Sequence, residues 1–164
     1  MRYRRGNAMI ETAMFLPLFI LLLVGMAEIA KVTYVYYSAH KALYSIARMI
    51  GTRNGANLCD DADTEMMSIK NFALTGNSEG GNPLITGLTP EIVQVRIERQ
   101  EAGSDILGEC ECSLTGCDSS QGGRPPDFIV VSVPDGFSVN VTLPYLLQQV
   151  IVFRPTIRVP HGAA

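Results

Sequence analysis

Histidine is scarce in this chain. The two present, His40 and His161, stand far apart, and neither belongs to an H-E-x-x-H pair that could hold a catalytic metal. Gly-x-x-x-x-Gly-Lys runs that cradle phosphates and Gly-x-Ser-x-Gly nucleophile turns are also missing. No hydroxyl or thiol stands beside a recognisable base, so the sequence offers no enzyme and implies no cofactor. Basic charge is short where a polyanion would need it: residues 54–127 carry four basic and thirteen acidic side chains. That balance excludes nucleic acid as a partner, because phosphate recognition needs a basic patch. Charge of either sign is absent from Ala13 to Ala27.

What surrounds that uncharged run organises the rest. A basic head (Arg2, Arg4, Arg5) meets Gly6, and the apolar stretch that follows holds a single carboxylate, Glu11. From Ala8 to Ala27 a helix reaches roughly 30 Å, enough to cross a bilayer core. Arginines before the stretch and Glu28 after it orient the N-terminus to the cytoplasm and the remainder outward. A carboxylate near the start of a spanning segment costs a few kcal/mol unless it is answered, so Glu11 reads as functional. A cleaved secretory signal would use Gly25-Met26-Ala27 as its small-x-small site, but such signals rarely hold a carboxylate. A plain anchor explains neither Gly6 nor Glu11.

Gly6 followed by Glu11 resembles the G-x-x-x-x-E processing site of type IV prepilins. The fuller run Arg5-Gly6-Asn7-Ala8-Met9-Ile10-Glu11-Thr12-Ala13-Met14-Phe15-Leu16-Pro17-Leu18, then Leu21 to Glu28, is similar to the TadE family, minor pilins or pseudopilins of tight-adherence (type IVb) pili. The likeness extends through Ala47-Arg48 and Gly51-Thr52-Arg53 and fades beyond them. Ala30 stands where the family usually has a glycine two residues after the glutamate. The resemblance implies cleavage after Gly6 by a membrane-embedded prepilin peptidase, leaving Asn7 as the new N-terminus. It also implies contacts with other pilins or pseudopilins, a platform protein and a motor ATPase, and residence in the bacterial inner membrane before incorporation into an extracellular pilus. Glu11, one helical turn from the freed amine, would pair with that amine in its own chain or a neighbour's. Pro17 removes one helical hydrogen bond from the same assembly helix.

The spanning helix continues past the membrane. Thr33 to Ile50 holds no proline or glycine, and Val35, Ala39, Ala42, Ile46 and Ile50 form an apolar stripe on another side from Ser38, Lys41, Ser45 and Arg48. Glu28 and Lys31 can pair at the outer boundary. Tyr34, Tyr36, Tyr37 and Tyr44 suit an interfacial belt and core filling, and Gly51 with Asn54-Gly55 supplies the stop. Asp60-Asp61-Ala62-Asp63 begins a short second helix over Thr64–Leu74. The cluster lacks the glycine and final glutamate of a calcium loop. Thr75–Leu88 is a loop. Strand alternation marks Ile92–Glu98, and Phe128–Val133 with Phe137–Leu143 across Pro134-Asp135-Gly136 predicts a hairpin. Pro144–Phe153 is apolar and reads as a helical turn against membrane or partner, and Thr156–Val159 adds a last strand.

Four cysteines, Cys59, Cys110, Cys112 and Cys117, lie outside the predicted membrane segment and lack the paired C-x2-C spacing of zinc knuckles. Two disulfides are expected and no metal. Three pairings are open; one joins Cys112 to Cys117 and tethers Cys110 to Cys59. The expected fold is α+β: a long N-terminal transmembrane helix leading into a small outer domain with an antiparallel sheet of about four strands. The expected divisions are a leader at 1–6, a helix at 7–51 with its membrane half at about 8–30, and a periplasmic domain at 52–164. Loss of the leader's three arginines would take the formal charge from −3 to −6. The alternative is a periplasmic binding or adhesion domain released from a cleaved secretory signal.

Overall fold

The computed structural model describes residues 3–52, 58–100, 106–110, 112, 117, 123–143 and 147–162. Helix α1 (Tyr3–Thr52) comes first and is followed by the shorter α2 (Thr64–Thr75). Among the described residues a 3-10 turn at Pro90–Ile92 is followed by six strands: β1 (Gln94–Gln100), β2 (Leu107–Glu109), β3 (Phe128–Ser132), β4 (Phe137–Leu143), β5 (Leu147–Phe153) and β6 (Thr156–Pro160). Four of these form an antiparallel sheet in the order β2-β1-β3-β6, and β4 and β5 form a separate antiparallel pair. The α+β class and the four-stranded sheet are as the sequence predicts.

Helix α1 is 50 residues long, about 75 Å at 1.5 Å per residue. Its last third is a core element. Ala39, Leu43, Ile46, Ala47 and Ile50 recur at helical spacing and are fully buried or nearly so, with Val35, Ala42 and Met49 packed at the edge. Across from them lie Val93 and Ile97 of the β1 region, Ile129 and Val131 of β3, and Val159 of β6. Each fully buried Leu or Ile here is worth about 1.5–3 kcal/mol of removed apolar surface. The predicted stripe is right in phase, with Leu43 and Ala47 added to it. Gly51 does not stop the helix. It lies inside α1, where an added Cβ would already touch Ile129 Cδ1 at 3.5 Å. At Thr52 the hydroxyl donates back to the carbonyls of Arg48 and Met49. The predicted Asn54-Gly55 stop falls outside the described residues.

Helix α2 forms where predicted. The Asp63 carboxylate accepts from the backbone N–H groups of Glu65 and Met66, and Gly76 closes the other end with φ 81° and its N–H on the Phe72 carbonyl at 2.9 Å. Met66, Ile69 and Leu74 face the core. So does Lys70, which the sequence reading passed over: only 2% of its side chain is exposed, and its ammonium pairs with the Asp61 carboxylate. The aspartate cluster is thus spent on a cap, an ion pair and a local turn, since the third member, Asp60, accepts from the Ala62 N–H at 3.0 Å.

The predicted β3–β4 hairpin is corrected. Both strands exist, but they do not pair. The middle of β3, Ile129 to Val131, is buried throughout, and its two edges are taken by β1 and β6. At Pro134-Asp135-Gly136 the chain leaves that sheet, Gly136 having φ 76°. The segment predicted as a turn, Pro144–Phe153, supplies the partner instead: β5 pairs with β4 from Phe137↔Phe153 to Leu143↔Leu147, while residues 144–146 are outside the description. A Cβ on Gly136 would stand 2.6 Å from Val152 Cγ1 and 2.8 Å from the Phe153 carbonyl, so glycine is also what lets β5 close over the turn. Among the described residues of the polar excursion after β1 lies one further strand, β2, too short to show a period.

Candidate membrane and assembly surface

From Met9 to Leu23 every residue of α1 is exposed. Met9, Met14, Phe15, Leu16, Leu18, Phe19 and Ile20 each leave more than half their surface uncovered. The apolar window within Met9–Thr52 has mean hydropathy 2.3 and no buried residue. A helix of this kind is not the core of its own domain, because it has no domain around it. It is long and apolar enough to cross a bilayer, and it fits a single-pass membrane anchor.

Glu11 sits on this uncovered surface, exposed. Residues 3–8 are helical in backbone, so Gly6 lies within α1 and Asn7 precedes Glu11 by four residues, one turn along the same face. Pro17 lies inside a helix that continues through it. These four residues share one stretch of helix. Cys59, Cys110, Cys112 and Cys117 do not join them, since all four belong to the folded domain.

At the other end of the apolar stretch the domain takes hold. Lys31 and Glu28 pair at 3.7 Å, as their spacing predicts, and the Lys31 ammonium also donates to the Asn140 carbonyl of β4 at 3.3 Å. The Tyr36 ring lies 4.6 Å from His40 and 5.7 Å from Phe153, which in turn lies 5.9 Å from Phe137. The tyrosines do not fill the core: Tyr34 and Tyr37 are each 74% exposed, and Tyr36 and Tyr44 are exposed as well. Exposed rings just past an apolar segment have the position of an interfacial belt.

The cysteines pair as Cys59–Cys112 and Cys110–Cys117, with Cα separations of 5.6 and 5.9 Å, inside the disulfide range. The Cys112–Cys117 loop with a Cys59–Cys110 tether is therefore not the arrangement formed. The backbone explains the exchange: Cys110 follows β2, its N–H bound to the Ile97 carbonyl at 2.9 Å, and it reaches inward to Cys117, which is buried. Cys112, two residues on, is exposed and meets Cys59 at the edge. Among the described residues no group of three or more His, Cys, Asp or Glu side chains is placed to hold a metal ion.

The fold and this surface define a class: an α+β domain carried on one long helix, whose first half is an uncovered apolar rod and whose second half is the domain's own core. The comparison with known families is consistent with that class and more specific. The model of the family described as TadE-like protein matches residues 6–48, from the glycine before the apolar stretch to the arginine near the end of α1. This is the family that the motif around Gly6 and Glu11 resembles, and it suggests a minor-pilin-like role in a tight-adherence pilus. The match ends before α2 and the strands. No curated protein and no solved structure matches the chain.

Proposed function

We propose that this chain is a minor pilin or pseudopilin of a tight-adherence (type IVb) pilus, cleaved after Gly6 and assembled through α1. The observation that carries the reading is the uncovered apolar helix bearing Glu11, in the segment matched as TadE-like. In this reading residues 1–6 are the leader and the mature chain begins at Asn7. The apolar half of α1 spans the inner membrane, and the domain from residue 52 onward, built around the second half of α1, stands in the periplasm. Cleavage creates an ammonium group one turn from Glu11. The carboxylate then pairs with its own Asn7 amine, or with that of an adjacent chain when helices pack side by side.

The physical reason is the medium. Between unit charges a few ångströms apart, attraction is several-fold stronger near lipid than in water, and an unanswered charge there is correspondingly costly. Pairing between chains therefore favours one axial register of neighbouring helices over others. Partners in this reading are the prepilin peptidase, other pilins or pseudopilins, and the platform and motor proteins that family membership would bring.

Intact-mass measurement of the membrane-extracted protein, from cells with and without the prepilin peptidase, tests the reading. A mature chain beginning at Asn7 that reverts to the full-length form without the peptidase is the expected result. A chain beginning at Glu28 would instead identify a domain released from a secretory signal, and the pilin reading would be abandoned.

A further inference from the structure

The β4–β5 hairpin stands outside the four-stranded sheet, and from Phe137 to Phe153 it carries no Asp, Glu, Lys or Arg. Two contacts fix how it lies on α1. At its open end Phe153, opposite Phe137, has its ring 5.7 Å from that of Tyr36. Three residues along β4, the Asn140 carbonyl accepts from Lys31 at 3.3 Å. Moving toward the closed end of the hairpin therefore means moving along α1 toward the uncovered apolar half.

From Asn140 to the end of β4 at Leu143 is about 10 Å of strand, and about 10 Å of helix is roughly seven residues. The closed end thus stands at about the level of Val24, within the apolar stretch. At that level Val24 and Glu28, one turn apart, are half-buried, while Leu21 to Leu23, Met26 and Ala27 are exposed. On the hairpin's outer face Val150 and Val152, opposite Asn140 and Ser138, are 57% and 54% exposed.

We infer that the β4–β5 hairpin is a lipid-contacting element, seated in the headgroup layer at the C-terminal end of the membrane span, with lipid against the face that bears Val150. The inference rests on the reading of α1 as a membrane anchor. Lipid is the occupant because the hairpin is continuous with the lipid-facing surface of α1. It is also free of charge over its whole length, and at the same level along α1 Ile29, Tyr34 and Tyr37 are exposed. Seated there, the hairpin sets the depth of the helix. Glu11 lies twenty residues before Lys31, roughly 30 Å away along α1, which places its carboxylate near the opposite boundary of the hydrocarbon core.

The chain has no tryptophan, so a single introduced indole reports its own surroundings. Three variants of the full chain, Met26→Trp, Val150→Trp and Tyr44→Trp, would be reconstituted into phosphatidylcholine vesicles whose lipids carry a nitroxide at the headgroup end of the acyl chain. Met26 tests the anchor, and Tyr44, thirteen residues past Lys31 and roughly 20 Å beyond it on the aqueous side, is the control away from lipid. The expected result is loss of emission for Met26→Trp and Val150→Trp together, with Tyr44→Trp unaffected. Quenching of Met26→Trp alone would overturn the hairpin's role and leave the anchor standing. Emission retained by both would remove the anchor and the inference with it. A blue shift of Val150→Trp that grows with protein-to-lipid ratio, without nitroxide quenching, would assign the face to a second chain and also overturn the inference. Val152→Trp serves as the substitute probe if circular dichroism shows that Val150→Trp does not fold.

Discussion

Glu11 and Lys70 are both single charges set against apolar surroundings, and they are answered differently. Lys70 is answered within the fold. Its ammonium is buried, and the Asp61 carboxylate that pairs with it is less than half exposed. Removing that carboxylate leaves a buried cation whose remaining protein acceptor at the pair is the Asp61 carbonyl at 3.4 Å. Asp61→Ala should therefore cost about 1–3 kcal/mol, discounted from the fully buried case because the acid is partly solvated. Lys70→Met should cost less, since it removes the charge and keeps the packing. Thermal unfolding of the full chain in detergent checks the order of the two. Glu11, in the proposed reading, is answered only after cleavage and only by an amine that the uncut chain lacks. Glu11→Ala should leave processing largely intact, read as a mature mass beginning at Asn7, and yet impair pilus formation. Normal piliation in that variant would remove the pairing role.

Helix α1 is one element under two rules, and the rule changes near Lys31. Past it, Ala39, Leu43, Ile46, Ala47 and Ile50 are covered by the domain; from Met9 to Leu23 every residue is exposed. The same substitution should then have opposite consequences along one helix. Leu43→Ala empties a fully buried site and should destabilise the domain by about 2–5 kcal/mol. Leu22→Ala, at a residue 52% exposed, should leave the domain's unfolding midpoint unchanged, as far-ultraviolet melting of both variants would show. The disulfides separate in the same way by what they span. Cys59–Cys112 bridges 53 residues and Cys110–Cys117 only 7, so loop entropy assigns them about 4 and about 2 kcal/mol respectively. Non-reducing peptide mapping should recover these two pairs, and Cys59→Ala with Cys112→Ala should lower the midpoint more than Cys110→Ala with Cys117→Ala.

Over the whole molecule, legibility followed the range of the interactions involved. Periods of 3.6 and 2 are local, and they marked α1 as one long helix and placed α2 and the strands around Val95, Val130, Val139 and Ile157 within a residue or two. The uncharged stretch, the glycine before it and Glu11 within it likewise stand in consecutive residues, so the anchor and the family likeness were open to reading. Pairing is not local. Phe128–Ser132 and Phe137–Leu143 look like two arms of a hairpin, because only a turn separates them. Which edge each strand meets depends on β1 and β6, which come from distant parts of the chain. The cysteine pairs follow the same logic, because Cys110 turns inward only once β2 is seated on β1. Lys70 was hidden for a related reason: no spacing announces that a lysine will be buried until the carboxylate of Asp61 is folded over it. The chain's order alone determined a membrane-competent helix with one carboxylate and a β-rich domain after it, since hydropathy and period act between neighbours. Only the tertiary structure decided strand partners, disulfide partners and the hairpin's lie along α1, because each of these is a choice among competing surfaces that exist only once the core has closed.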